Sequence, residues 1–377
     1  MNTPYMPDYL PLKDLNPSHF IMELGEANRE LSRYDGLLST LPNPNLLIAP
    51  FMTQEAVLSS RIEGTQATVD EVYEQEAGME FGDRKLQDIQ EVRNYSHALT
   101  HAAQNLKERP LTMMLIRETH QLLLRGVRGE QRTPGSFRTI QNWIGRPGST
   151  LENAIYVPPS PSYVDMLMEN WLNYIVEYKE IDPLVQAAIM HVQFEMIHPF
   201  LDGNGRMGRL LIPLFLYKKG VLQSPVFYMS AYLESNRRTY YNRLNGVHSE
   251  GRWNEWIAFF LRGVVEQAIA NREKVEATIE YYDSLKLEMR NITHSGYAQL
   301  ILDAMFEMPT YSMPSIIRRI QRKDPASKTS TLRSVLKKVA SGNIVQCTRQ
   351  AQGRSAHIYR LNGLYDIIYG KLSDTQS

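Results

Sequence analysis

The sequence predicts a mainly α-helical fold with one small β-hairpin flap, followed by a C-terminal module of helices and two short strands. Three observations predict it. Apolar residues recur at helical spacing along most of the chain, β-prone pieces broken by Gly and Pro cluster in the single stretch Gly135 to Pro161, and the last eighty residues change both pattern and charge.

From the N-terminus, the run Ser18 to Leu38 sets Ile21, Leu24, Leu31, Leu37 and Leu38 near helical spacing, which predicts a first helix. After the breaker LPNPN, helices are expected over Leu46 to Ile62, which Gly64 follows, over Thr68 to Glu76 and over Leu86 to Leu106. Further helices follow at Thr112 to Leu124, Pro161 to Tyr178, Pro183 to Met196, Gly205 to Lys219, Arg238 to His248 and Trp253 to Met289. In the Pro183 helix, Val185, Ile189, Val192 and Met196 make one apolar stripe, and Asp182 and Pro183 are placed to start it. TPGSFRT, NWIGRPGST and AIYVPPSP, between Gly135 and Pro161, read as a surface flap. The end of the chain reads as helices Tyr297 to Met308, Met313 to Lys323 and Ser330 to Ser341, then strands Ile344 to Thr348 and His357 to Leu361 around the turn QAQGR. That order is a winged helix.

With 43% apolar and 22% charged residues over 377 positions, the chain can bury a sizeable core. Its apolar stretches fall short of the roughly 20 residues a membrane helix needs, and MNTPYMPDYL lacks a signal pattern. A cytoplasmic protein with no membrane partner is expected. The single cysteine, Cys347, excludes an intrachain disulfide and a cysteine-rich metal site. Lys plus Arg and Asp plus Glu balance at 41 each, but Pro309 to Arg360 holds eleven basic residues and one acid, Asp324. A basic module therefore follows an acidic body.

The chemistry concentrates in His198-Pro199-Phe200-Leu201-Asp202-Gly203-Asn204-Gly205-Arg206-Met207-Gly208-Arg209. A glycine-rich loop here feeds a helix N-terminus, where unpaired N–H groups and the helix dipole make an anion site, and Gly203 and Gly205 allow close approach of phosphates. Asp202 offers a hard oxygen ligand for Mg²⁺. Arg206 and Arg209, three apart, share a face and suit phosphates with their planar forks. His198 is the group best fitted to take a proton from an incoming hydroxyl at neutral pH.

These residues resemble the motif HPFxDGNGRxGR of the Fic (filamentation induced by cAMP) family at every fixed position. The resemblance implies a helical Fic core and transfer of AMP from ATP to a Ser, Thr or Tyr hydroxyl of a target protein, self-modification included. It implies His198 as general base, Asp202 as the Mg²⁺ ligand, and Gly203, Asn204 and Gly205 as a phosphate nest. Arg206 would hold the polyphosphate and Arg209 the γ-phosphate, with Met207 and Gly208 in the same nucleotide-binding segment. Upstream, Ser59-Ser60-Arg61-Ile62-Glu63-Gly64 resembles the inhibitory pattern [ST]xxxE[GN], so that Ser59, Glu63 and Gly64 would form an inhibitory helix end and Glu63 would pair with Arg209. A carboxylate at a helix C-terminus is opposed by the dipole and benefits from such a cation. Gln141 to Gly145 and Tyr156 to Pro159 resemble the family's flap, which would hold the target in extended form. Leu233 to Asn245 resembles the helix supplying nucleobase contacts, with Asn236, Tyr240 and Tyr241 chosen.

The domain expectation is an N-terminal helical region over 1–109 with the inhibitory helix at about 46–64, a Fic core over 110–270, a linking helix over 271–292 and a winged-helix domain over 293–377. Family members of this type often dimerise, so a homodimer is expected. The alternatives are a Fic-fold transferase using another nucleotide donor and a DNA-binding regulator built on the winged helix, with Arg318, Arg319, Arg322 and Arg333 contacting phosphates.

Overall fold

The computed structural model describes residues 3–40, 44–145, 148–351 and 356–370 and, over 44–48, the backbone alone. Among these the helices are α1 (Ile21–Ser39), α2 (Pro44–Ile62), α3 (Val69–Glu76), α4 (Asp83–Glu108), α5 (Met113–Leu123), α6 (Val164–Glu177), α7 (Pro183–Ile197), α8 (Asn204–Lys218), α9 (Ser230–Ser235), α10 (Arg237–Glu250), α11 (Trp253–Thr293), α12 (Ala298–Glu307), α13 (Met313–Lys323), α14 (Thr329–Ser341) and α15 (Asn362–Tyr369). The strands are β1 (Thr310–Ser312), β2 (Gln346–Arg349) and β3 (Ile358–Arg360). Contacts divide the chain into two compact units that do not follow chain order. One is Met1–Gly36, Leu58–Thr65 and Gln90–Ile269; the other is Leu37–Val57, Gln66–Ile89 and Ala270–Ser377. None of the described helices is long and apolar enough to cross a membrane.

The first unit is built around α7. Asp182 starts this helix as expected, its side chain accepting from the Leu184 N–H, with Pro183 at the first helical position. The single stripe is a correction, because α7 is buried on nearly every side. The side-chain amides of its two glutamines donate to surrounding elements, Gln186 to the Tyr174 and Tyr178 carbonyls and Gln193 to that of Asp8. Trp171 and Trp256 are fully buried and donate their indole N–H groups to the Met190 and Ala188 carbonyls. α8 packs along α7 and carries Leu210, Leu211, Ile212 and Leu214 into the same core.

The flap is looser than a regular hairpin. Ile144 and Tyr156 pair in an isolated antiparallel bridge, and a turn of 3₁₀ helix covers Leu151–Asn153.

In the second unit, α12, α13, α14 and α15 pack with a three-stranded antiparallel sheet in the order β1-β3-β2. β1 and α15 were not anticipated, β1 because three residues carry too little pattern. The turn expected at QAQGR lies largely outside the described residues. α3, opened by a capping box between Thr68 and Glu71, belongs to this unit. It packs against β1, and the neighbouring Ala77 carbonyl accepts from the Ser312 hydroxyl, while Glu74 and Asp70 pair with Arg349 and Arg360.

Candidate active site

α7 ends at His198, which takes the left-handed conformation (φ 49°, ψ 58°) and turns the chain into the loop before α8. The buried Arg138 holds this turn, its backbone N–H donating to the Pro199 carbonyl and its side chain to the carbonyls of His198, Ile197 and Pro159. Its burial pushes the guanidinium down to about 10. The Nδ1 of His198 faces the Glu195 carbonyl oxygen at 3.3 Å. A carbonyl only accepts, so the proton sits on Nδ1 and Nε2 keeps its lone pair. Burial lowers the imidazole to about 4, so the ring is neutral at physiological pH.

The loop is braced from beneath. Asn204 accepts from the Phe200 N–H at 2.9 Å and donates to the Phe200 carbonyl at 2.8 Å. Its side-chain amide is thereby committed to the loop itself, and any part of Asn204 in a phosphate nest falls to its backbone N–H. His120 stacks on Phe200 with centroids 3.6 Å apart. It accepts from the Gly135 N–H on Nδ1 and so donates from Nε2 to the Asp202 carbonyl at 2.8 Å. Gly203 sits at φ 77°, and a Cβ there would press on this imidazole at 3.3 Å. Asp202 accepts from the Gly203 N–H through Oδ1 and faces Arg206 at 3.5 Å.

Arg206 and Arg209 part company. Arg206 is buried, bridges Glu91 at 3.2 Å and does not line the cavity; Glu91 also accepts from Thr65 at 2.6 Å. Arg209 donates to the Ser59 hydroxyl at 2.9 Å, the Ser59 carbonyl at 2.8 Å and the Glu63 carboxylate at 2.7 Å. Burial alone would raise the Glu63 carboxyl, but Arg209 outweighs it and holds the acid below its usual range. Glu63 also rests on α8, since a Cβ at Gly205 would meet its Oε1 at 2.1 Å. The end of α2 is completed by Arg237, which donates to the Ile62 carbonyl, and by Gly64 at φ 94°. Gly208 faces inward, not toward the loop: a Cβ there would meet Glu195 at 2.4 Å and His191 at 3.3 Å. Met207 is likewise buried.

A cavity of about 580 Å³ opens above these groups. Its walls are Trp143, Ile144, Gly145, Ile155 and Tyr156 of the flap, Glu195, Met196 and His198 of α7 and its end, Gly205 and Arg209 of α8, Glu63, and Tyr240, Tyr241, Leu244, Asn245 and His248 of α10. Tyr240 and Tyr241 reach it as expected. Asn236 does not. It stands where α9 gives way to α10 and turns its amide to the Tyr232 carbonyl, and the residues one and two turns further along α10 take that place. Tyr156 packs on His248 at 4.6 Å, and Tyr5 packs on both. No sequence motif signalled Tyr5, His248, Glu195 or His120 as neighbours of this site.

Two family models match the chain, that of the Fic/DOC family N-terminal region over residues 21–104 and that of the Fic/DOC family over 110–216, together just over half of its length. The chain belongs to the Fic/DOC family. A probable protein adenylyltransferase of Aquifex aeolicus is 30% identical over 171 residues, 45% of this chain and 49% of that protein. The protein adenylyltransferase fic-1 of Caenorhabditis elegans is 30% identical over 168 residues, 44% of this chain and 28% of that one. The match thus spans about half the length of the first relative and less of the second. A solved Fic family protein from Desulfovibrio desulfuricans shares the fold, with a TM-score of 0.58 at 21% identity, covering 94% of this chain and 98% of that one.

Proposed function

We propose that this Fic protein transfers AMP from ATP to a hydroxyl group of a protein target, and that Glu63 restrains it by occupying Arg209. The observation that carries the reading is the convergence on one cavity of a neutral, partly buried imidazole, a helix N-terminus and an arginine held by a displaceable carboxylate. The names of the relatives support the same donor and acceptor classes.

In this mechanism His198 Nε2 takes the proton of the target hydroxyl, the oxygen bonds to the α-phosphorus, and the bond from that phosphorus to the bridging oxygen breaks, releasing pyrophosphate. The free N–H groups of the first turn of α8 stabilise the charge that develops. Asp202 suits Mg²⁺: its Oδ1 accepts from the Gly203 N–H, Oδ2 stands outside that bond and the side chain is 36% exposed, which fits an ion that binds through one or two carboxylates plus phosphate oxygens and waters. When bound, Mg²⁺ would neutralise phosphate charge. Glu63 lies at the α8 N-terminus and on Arg209, where the terminal phosphates would otherwise be gripped, so a nucleotide in the resting enzyme is badly oriented for in-line attack.

The test is labelling of protein by α-³²P-ATP against γ-³²P-ATP in wild type, Glu63→Gly and Glu63→Gly/His198→Ala. Label from the α position only, raised by the first change and lost by about 10²–10⁴-fold with the second, is expected for a general base. Label from the γ position would make the protein a kinase and overturn the reading.

A second activity, DNA binding by the C-terminal unit, is favoured by one observation. Arg319 and Lys323 pair with Glu307, Arg349 with Glu74 and Arg360 with Asp70. Arg318, Arg322, Lys328, Arg333 and Lys337 are exposed and have no ion pair among the described residues. Lys328, Arg333 and Lys337 line a groove with Ser330 and Ser334 along α14. In a winged helix this is the helix that enters the major groove. Fluorescence anisotropy of a labelled duplex at low salt should show binding that Arg333→Glu/Lys337→Glu abolishes; equal binding by both proteins would remove the assignment.

A further inference from the structure

Glu195 lies one turn before His198, and while its carbonyl faces His198 Nδ1, its side chain takes no part in the chemistry described so far. Glu195 lines the cavity, yet its Oε1 is shut off from solvent and has no hydrogen-bond partner among the described residues. That oxygen is tucked against α8 where Gly208 leaves room for it, 2.4 Å from the position of a Cβ. A buried carboxyl oxygen without a partner is costly, so its presence asks for an explanation.

The neighbouring cation supplies one. The Arg209 side chain is 1% exposed, and its strongest ionic partner is Glu63. When Glu63 is withdrawn, a buried guanidinium must find another counter-charge or be left uncompensated. The groups whose charge favours the Arg209 cation are Glu63 at the end of α2, Tyr240 on α10 and Glu195 on α7, and Tyr241, itself raised by burial, interacts with it as well. Tyr240 is held well above its ordinary value by burial, so neither tyrosine offers an anion at neutral pH. Glu195 is the remaining acid. Two carboxylates and one guanidinium are thus packed in one place, and in the resting state only one carboxylate is bonded.

We propose that Glu195 is a positioning residue for Arg209: it becomes the arginine's counter-ion when Glu63 leaves, and so holds the guanidinium in the cavity for the nucleotide's terminal phosphate. The proposal rests on reading the Glu63–Arg209 pair as the restrained state. It requires a proton to move. With Glu63 in place, burial chiefly, and the Glu63 charge in addition, raise the Glu195 carboxyl to about 8 against the pull of Arg209, so it is largely protonated. Once Glu63 is gone, Arg209 acts on Glu195 alone, and the proton leaves to solvent through the cavity. The other titrating groups that face this space move away from neutrality. His198 and His191 are lowered to about 4 and about 3, His248 is lowered, and Tyr240 and Tyr241 are raised.

The direct test needs neither ATP nor a target. Side-chain ¹³C-labelled glutamate in the full-length protein reports each carboxyl by NMR, and the Glu195 signal is the one absent from Glu195→Gln. Its titration midpoint should lie near 8 in wild type and fall by two units or more in Glu63→Gly, where residue 195 is untouched. An unchanged midpoint in Glu63→Gly would overturn the proposal, whether or not the protein transfers AMP.

Activity supplies the second arm. AMP transfer by wild type should rise by up to tenfold from pH 7 to 8, as ionised Glu195 competes with Glu63 for Arg209. Glu195→Gln keeps the shape and removes that rise, and in the Glu63→Gly background it raises the KM for ATP about tenfold with kcat little changed. A wild-type pH profile retained in Glu195→Gln would also overturn it. Absence of transfer in every variant, with the NMR shift present, would instead refute the functional reading and leave the pairing intact.

Discussion

Arg206 and Arg209 stand three residues apart on α8, and each ends on a glutamate, yet the two pairs behave as different kinds of object. Arg206 and Glu91 are 2% and 1% exposed, and Thr65 completes the pair. Glu63, the partner of Arg209, is 32% exposed at a wall of the cavity. The first is a fixed part of the frame that carries the loop. The second joins a buried cation to a carboxylate open to the cavity, the one proposed above to yield to a phosphate. Burial of the carboxylate, not the length of the bond, separates the two pairs.

The comparison is broken or sharpened most strongly at Glu91. Glu91→Ala removes the buried partner of Arg206 and leaves it, among the described residues, only Asp202, at 3.5 Å and 36% exposed, and should lower the stability measured by urea denaturation by about 3–5 kcal/mol. Glu63→Gly should cost less than about 1 kcal/mol, because the proposed second counter-ion, Glu195, is at hand for Arg209; an equal loss for the two variants would erase the distinction. A smaller effect belongs to His120, the other brace of the loop. Its folded value is about 4 because of burial, against an ordinary 6.5. The unfolded chain therefore takes the proton first, and the contribution is whole above pH 6.5 and lost as pH falls toward 4. Wild type should lose about 3 kcal/mol relative to His120→Gln across that window. On the proposed restraint by Glu63, Glu63→Gly should also raise the rate of AMP transfer at pH 7 by about tenfold, or about 1.4 kcal/mol in the barrier.

The sequence made α7, the loop and α8 legible because breaker, cap and glycine lie next to one another along the chain. Glu63 was legible too, because a short pattern surrounds it. The bracing was not. Glu91 looks like any acid on an amphipathic helix, and only tertiary packing brings it to Arg206, 115 positions away. Spacing put Arg206 and Arg209 on one face, but α8 is buried so deeply that a small rotation sends one side chain to α4 and the other to α2. Asn236 fell out of the site because residue spacing does not say which turn of α10 meets a cavity, whereas Tyr240, one turn later, does line it. Tyr5 reaches the rim from the far end of the chain, and no local signal could have placed it there.

The left-handed turn at His198 has a consequence for anyone who breeds this protein. A side chain at φ 49° costs about 1 kcal/mol that glycine would not incur. A library selected for heat resistance alone should therefore drift toward glycine or asparagine at position 198, and the hardiest survivors would be inert. Robustness and chemistry compete at a single backbone angle, so any such selection needs an activity screen alongside it.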